Sequence, residues 1–385
     1  MSSRIVLSLL TALHVAISLA TGSQETPRYP IVYHENYNIG WGGIVGSMVR
    51  KIHPFDGTKY GRIAQNIEQE LGINLAEQGY QPERPVSMEE KLLVHTPEYL
   101  ASLNKSSTIS EAIDCGELLS WIPNTTLQKL VLRPMEWATS GTILAVELAL
   151  KHGWAINLGG GYHHAAPHKG EGGCIFSDVP IALHILWKNS PDIKVLIIDL
   201  DAHQGNGFEH ALSNDPRVVY FDVFNPHAGL ADEAIIHSSR NIIAEPLNGG
   251  HLSSVLWGIN FPDFLVERCV GRKINDQEYL QCVKTGLQKA FAKAEAYFGK
   301  KPDLIVYNAG SDINSNDPWG CMNVSEQAII DRDYYIFSQA ISRNIPICMV
   351  LSGSYFPRSA EVISQSIVQI IIRNPLFSTR SIFGF

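Results

Sequence analysis

The sequence lacks a Cys-x-x-Cys pair, a Walker-type glycine-lysine loop, a glycine-rich dinucleotide fingerprint after a first strand, a Ser-His-Asp order and any surplus of positive charge. Each absence removes a class of function. Six cysteines (Cys115, Cys174, Cys269, Cys282, Cys321 and Cys348) are scattered singly, so their spacing predicts neither a disulfide framework nor a zinc finger. Without the phosphate-cradling loops, nucleotide-driven chemistry has no anchor. Thirty Lys and Arg against thirty-eight Asp and Glu leave a formal charge of -8, which excludes a general electrostatic grip on DNA or RNA. A cationic partner, such as a lysine-rich protein tail, fits that balance better. Charged residues are scarce at 18% and hydrophobic residues make up 45%, which supports a sizeable core and argues against disorder. No internal repeat and no Pro/Gly/Ser-rich linker divides the chain.

What is present begins with a leader. After the single positive charge of Arg4, Ile5 to Ala20 is almost wholly apolar, and Ser18-Leu19-Ala20 offers a small-x-small cleavage site. Residues 1–22 read as a secretory-type leader, too short and too interrupted by Thr11, His14 and Ser18 to span a membrane. Asn104, Asn124 and Asn323 stand in N-x-[ST] sequons. Beyond the leader, apolar runs predict strands over 155–158, 194–200, 217–223, 304–308 and 346–351. Helical spacing covers Phe55 to Leu71, Thr142 to Lys151, Asp276 to Phe298 and Asp331 to Ser342, the first two ending at Gly72 and Gly153. This alternation predicts a single α/β domain with a mostly parallel sheet and helices on both faces. Ala228 to Val266 has no clean period and reads as a long loop or insertion.

The placement of polar residues points to function. Four apolar strands each run into groups that a core would not accept. His163-His164 follow Leu158; Asp199, Asp201 and His203 close KVLIIDL; Asp312 follows LIVYN; Tyr355 follows PICMVL. Ligands of open α/β sheets bind beyond the carboxyl ends of strands, so these clusters should converge on one crevice. Alternate residues of an extended chain share a side, which lets Asp201 and His203 reach one cation together while Asp199 orients a histidine. With Asp312 as third ligand and a fourth position for water, the pattern is that of a catalytic metal site. Zinc leads, with iron(II) and manganese open. The histidine pair suits acid–base work near neutral pH, and the Tyr355 hydroxyl suits a developing oxyanion. Together they specify metal-assisted hydrolysis of a carbonyl compound, with amide, ester and guanidine substrates all open.

At these residues the chain resembles the arginase-like zinc deacetylases, and within them the class IV histone deacetylases. The motifs are HPFDGTKYG (53–61), VHTPEYL (94–100), VLRP (131–134), GWAINLGGGYHHA (153–165), IIDLDAHQGNG (197–207), VYNAGSD (306–312) and the SGSY turn. The resemblance covers about residues 29–378 and implies an eight-stranded parallel sheet. It implies zinc on Asp201, His203 and Asp312, His164 as general base and acid, and His163 as its electrostatic partner bonded to Asp199. It implies Asn206 behind His164, Tyr355 polarising the substrate carbonyl, and potassium held near Asp199 and Asp222. Gly161, Tyr162, Gly173 and Cys174 would line the substrate tunnel. Gly173 stands where the family places a phenylalanine, Ser354 replaces a glycine, and about 228–264 replaces a family rim loop. The wider tunnel then favours long acyl chains over acetyl. Substrates would be acyl-lysine proteins such as histone tails, in nucleus or cytoplasm as a chromatin and transcription regulator, with no direct nucleic-acid binding and with corepressor partners unread. Alternatives are an amidohydrolase of small acylated amines and a weakly catalytic scaffold. A ureohydrolase would need two metals and more acidic ligands than appear.

Overall fold

The computed structural model describes residues 28–40, 56–229, 232, 239–247 and 274–374. Residues 1–27, 41–55 and most of 230–273 lie outside these, so the leader, the His53 end of its motif and most of the expected insertion are not described. Seven strands are found: β1 (Ile31–Val32), β2 (Trp154–Asn157), β3 (Val195–Asp199), β4 (Val218–Phe224), β5 (Ile242–Pro246), β6 (Leu304–Asn308) and β7 (Ile347–Val350). They form one sheet in the order β1-β2-β7-β6-β3-β4-β5, and every neighbouring pair is parallel. Among the described residues the count is therefore seven, against the eight implied by the resemblance.

Both faces of the sheet are covered, which is why the strands read as continuous apolar runs rather than alternating ones. The period of two still sorts the side chains. Val195, Ile197 and Val306 join one core cluster with Ala145, Val146 and Leu183; Leu196, Ile198 and Ile305 join another with Ile63, Ile336 and Ile367. Each such fully buried aliphatic side chain contributes roughly 1.5–3 kcal/mol over leaving it in water.

The helices of seven residues or more are α1 (Lys59–Leu71), α2 (Ser106–Ala112), α3 (Arg133–His152), α4 (Asp178–Asn189), α5 (Asn206–Leu212), α6 (Asp276–Phe298), α7 (Glu326–Ser342) and α8 (Ser359–Arg373). Helix α6 has the expected bounds, fixed by an Asn275/Glu278 capping box and by Gly299 in the left-handed region. Two helices start earlier than the sequence predicts. Helix α3 extends back to Arg133 because Pro134 falls in the first turn, where its missing N–H costs nothing. Helix α7 starts at Glu326, where the Ser325 side chain accepts from the Ala328 N–H.

The stretch expected to be loop also needs correction, since it contains β5. Among the described residues that strand has a single partner, β4, with Ile242 buried and Ile243 half-buried. An edge position accepts Pro246 and mixed polarity, which erases the apolar signature. The cysteines differ too. Cys321 is disulfide-bonded, whereas Cys115, Cys174 and Cys348 are buried free thiols. Such a pair arises from tertiary topology that sequence spacing does not carry. Among the described residues no helix is long and apolar enough to cross a membrane.

Candidate active site

Strands β2, β7, β6 and β3 are consecutive neighbours in the sheet, and their carboxyl ends carry the four polar clusters. The segments after β2 and β7 help to line a pocket of about 730 Å³, counted out to its open mouth. One wall carries His163, His164, Ser352, Gly353 and Tyr355; Gly161, Tyr162, Gly173 and Cys174 line it as well.

Asp201, His203 and Asp312 stand immediately behind that wall, all buried, with one potential ligand atom from each within 4.8 Å of the others. His203 Nδ1 lies 3.1 Å from Asp201 Oδ1 and 2.9 Å from Asp312 Oδ2. Two carboxylates this close and wholly buried repel, and a cation between them relieves the cost. The backbone leaves room for them. A Cβ on Gly310 would come within 2.3 Å of Asp201 Oδ2, and one on Gly353 within 2.6 Å of it and 2.8 Å of Asp312 Oδ2. The donor set of two carboxylates and one imidazole, with glycine on both sides, fits a divalent metal. Burial opposes charge on His203, but Asp201 and Asp312 outweigh it and raise the imidazole to about 10.

The two histidines have distinct partners. His163 Nδ1 lies 3.0 Å from Asp199 Oδ2, and its Nε2 is 3.6 Å from Asp201 Oδ1. Burial again disfavours the cation, yet Asp199 and Asp201 prevail and raise His163 to about 9. His164 Nδ1 lies 2.8 Å from the amide oxygen of Asn206, a neutral partner. Burial, followed by the nearby His163 and His203, holds His164 well below the ordinary imidazole value. With Nδ1–H donated to Asn206, the His164 Nε2 keeps a lone pair. Tyr355 is pushed well above the usual phenol value by burial and then by Asp201 and Asp312, so it keeps its proton as a donor.

Asp222, expected beside a potassium ion, accepts the Gly205 N–H at 2.9 Å through Oδ2, while its buried Oδ1 has no partner among the described residues. Burial, then Asp199 and Glu209, hold its carboxyl well above the usual range. The tunnel glycines are shaped by backbone needs. Gly161 has φ +83, and a Cβ there would meet Asn308 Oδ1 at 2.4 Å. Gly173 has φ +78 with open space beside it, in a Glu171–Cys174 turn closed by bonds of 3.0 and 2.9 Å.

Sequence reasoning missed several residues that hold this arrangement. Buried Asp178 accepts the Gly161 and Tyr162 N–H groups at 2.9 and 2.8 Å and so fixes the glycine turn. Arg332 on α7 donates to the carbonyls of Leu200 at 3.0 Å and Gly310 at 2.7 Å, tying together the loops that bear Asp201 and Asp312. Lys59 lines the pocket, with Nζ 3.4 Å from the carbonyls of both Ser352 and Ser354. The apolar wall of Ile39, Tyr60, Ile113, Cys115, Val131 and Met135 was also unforeseen. Arg332 stands between Asp331 and Asp333, and Lys59 stands among Asp56, Thr58 and Arg62, so the local pattern marks neither as more than a solvated charge.

The histone deacetylase domain family matches residues 53–371. The chain belongs to the histone deacetylase family. It is similar to Histone deacetylase 2 of Arabidopsis thaliana, 35% identical over 350 residues covering 91% of this chain and 80% of that protein. It is also similar to the acetoin utilization protein AcuC of Staphylococcus aureus, 27% identical over 293 residues covering 74% of this chain and 67% of that protein. The crystal structure of the HDA15 HD domain shares the fold, with a TM-score of 0.63, 18% identity, and coverage of 91% of this chain and 89% of that one. Family membership makes the chain a deacetylase-type hydrolase.

Proposed function

We propose that this histone deacetylase family member is a zinc-dependent lysine deacylase of the class IV kind, acting on acyl-lysine side chains of histones or other proteins. The observation that carries this reading is that the buried Asp201–His203–Asp312 group stands directly behind His163, Ser352 and Gly353, which line one pocket together with His164 and Tyr355. When bound, zinc would supply Lewis acidity and an activated water. The rest falls to side chains. His164, neutral and fixed through Asn206, takes a proton at Nε2 and later returns it to the leaving lysine amine. His163, cationic between Asp199 and Asp201, stabilises negative charge in the pocket. The Tyr355 hydroxyl donates to the developing oxyanion. Asn206, rather than an aspartate, supports the class IV reading, since a neutral partner leaves the base uncharged.

The apolar wall supports long acyl substrates as well as acetyl, because each further methylene it covers is worth about 0.8 kcal/mol. The unpartnered Asp222 Oδ1 supports a structural potassium near Asp199. Residues 29–378 form the catalytic domain in this reading, with an insertion at about 228–264. Nucleus and cytoplasm suit the family, while residues 1–22 would direct secretion; a fusion of those residues to a reporter decides between them. A second reading is an amidohydrolase of small acylated amines, and similarity to AcuC, named for acetoin utilization rather than for histones, supports a small-molecule substrate. Parallel assays on acyl-lysine peptides and on acetylated diamines separate the two: lysine deacylation requires higher kcat/KM on the peptides, and the reverse ranking contradicts it.

A further inference from the structure

The Tyr355 hydroxyl has no hydrogen-bonding side chain among the described residues, so its place is set from the other end, by its backbone and its ring. The backbone N–H of Tyr355 donates to Asp317 Oδ2 at 2.8 Å. Asp317 is buried, and its other oxygen accepts from the N–H groups of Trp319 at 2.9 Å and Gly320 at 3.2 Å. That second grip brings the Trp319 ring against the Tyr355 ring, with centroids 4.5 Å apart and planes at 42°. Two further bonds join the same segments: Ser311 N–H to the Gly353 carbonyl at 2.9 Å, and Ser311 to Ser354 between hydroxyls at 2.8 Å.

The loop that starts with Asp312 therefore also holds the turn that carries Tyr355. One carboxylate, from a residue 38 positions away, spans both. We propose that Asp317 is the positioning residue for Tyr355, fixing the phenol relative to Asp312 so that the loss of this carboxylate lowers turnover without weakening substrate binding or the metal group. The physical ground is preorganisation. A donor contributes to an oxyanion only if it is already in place, and a displacement near 1 Å can cost about 10²-fold in rate. An amide at position 317 turns one accepting oxygen into a donor, which faces either the Tyr355 N–H or the Trp319 and Gly320 pair, donor against donor.

The inference rests on the lysine-deacylase reading, and the experiment keeps the two apart. The full-length wild type, Asp317→Asn, Tyr355→Phe and the double variant are assayed on acyl-lysine peptide, with metal content and thermal midpoint measured for each. Asp317→Asn should lower kcat by about 10–100-fold, with KM within about twofold and metal content unchanged. In the Tyr355→Phe background the same substitution should change kcat by less than about twofold, because the group it positions is already gone. Asp317→Ser, which keeps an acceptor and removes the charge, replaces the asparagine variant if that one does not fold. Independent, multiplying losses overturn the proposal, as does wild-type kcat in Asp317→Asn or a loss of metal. A wild type inactive on every acyl-lysine peptide refutes the deacylase reading, and the proposal falls with it.

Discussion

On one side of the pocket, His163, His164, Gly353 and Tyr355 stand before three buried ligand-type residues, and almost every polar atom there is tied to a strand end or a neighbouring loop. The rest of the lining, Ile39, Tyr60, Ile113, Cys115, Val131 and Met135, comes from a loop, helix α1, the turn after α2, and the start of α3 with the helical segment that leads into it, and offers mainly apolar surface. The first wall is held by directional bonds, so its geometry tolerates little change. The second is held by packing, which tolerates swaps of similar volume. Chemistry should therefore depend on the first wall and acyl-chain preference on the second.

The sharpest break of that comparison is at the ligand-type residues. Asp201→Ala or His203→Ala should abolish bound metal and activity together, because a three-ligand site rarely survives on two. Elemental analysis of the purified variants checks this; full metal in Asp201→Ala would refute the assignment.

Next come the groups in front of the metal residues. His164→Ala and Tyr355→Phe should each lower kcat by roughly 10²–10⁴-fold with metal retained. Steady-state kinetics beside metal analysis would show it, and an unaltered rate in Tyr355→Phe would make that tyrosine structural.

Arg332 lies outside the pocket yet belongs to the bonded wall. Arg332→Met removes the donor to two loop carbonyls and leaves Asp333, bonded to Arg332 Nε at 2.8 Å, without its counter-charge. Breaking a buried pair in this way costs about 3–5 kcal/mol. Denaturant unfolding should register that loss, and a change under about 1 kcal/mol would show that the clamp is dispensable.

The smallest effects belong to the apolar wall. Met135→Trp should narrow the chamber and lower kcat/KM on myristoyl-lysine peptide while sparing acetyl-lysine. Gly173→Phe should narrow the same ratio by raising the acetyl rate, at some cost in stability, because residue 173 has φ +78. Equal effects on both substrates in either variant would deny the wall its selective role.

The same division explains what the sequence made legible. Bonded-wall residues sit at the carboxyl ends of apolar strands, where an Asp or His interrupts a regular pattern and stands out. Asp201-x-His203 and His163-His164 were visible for that reason. Ile113 and Val131 were not, because an apolar residue at the end of a short helix or within a helical segment looks like any other core residue. Asp317 and Arg332 act through backbone groups far away in sequence, and nothing local distinguishes them from solvated charges. Strand β5 escaped for a related reason: a one-partner edge strand needs only one buried isoleucine.

The most direct test of the account is hydrolysis of acetyl- and myristoyl-lysine peptides by the full-length wild type before chelation, after chelation, and after zinc is returned. The account predicts activity that chelation removes and zinc restores, on both peptides. Deacylation that persists after complete metal removal would contradict it.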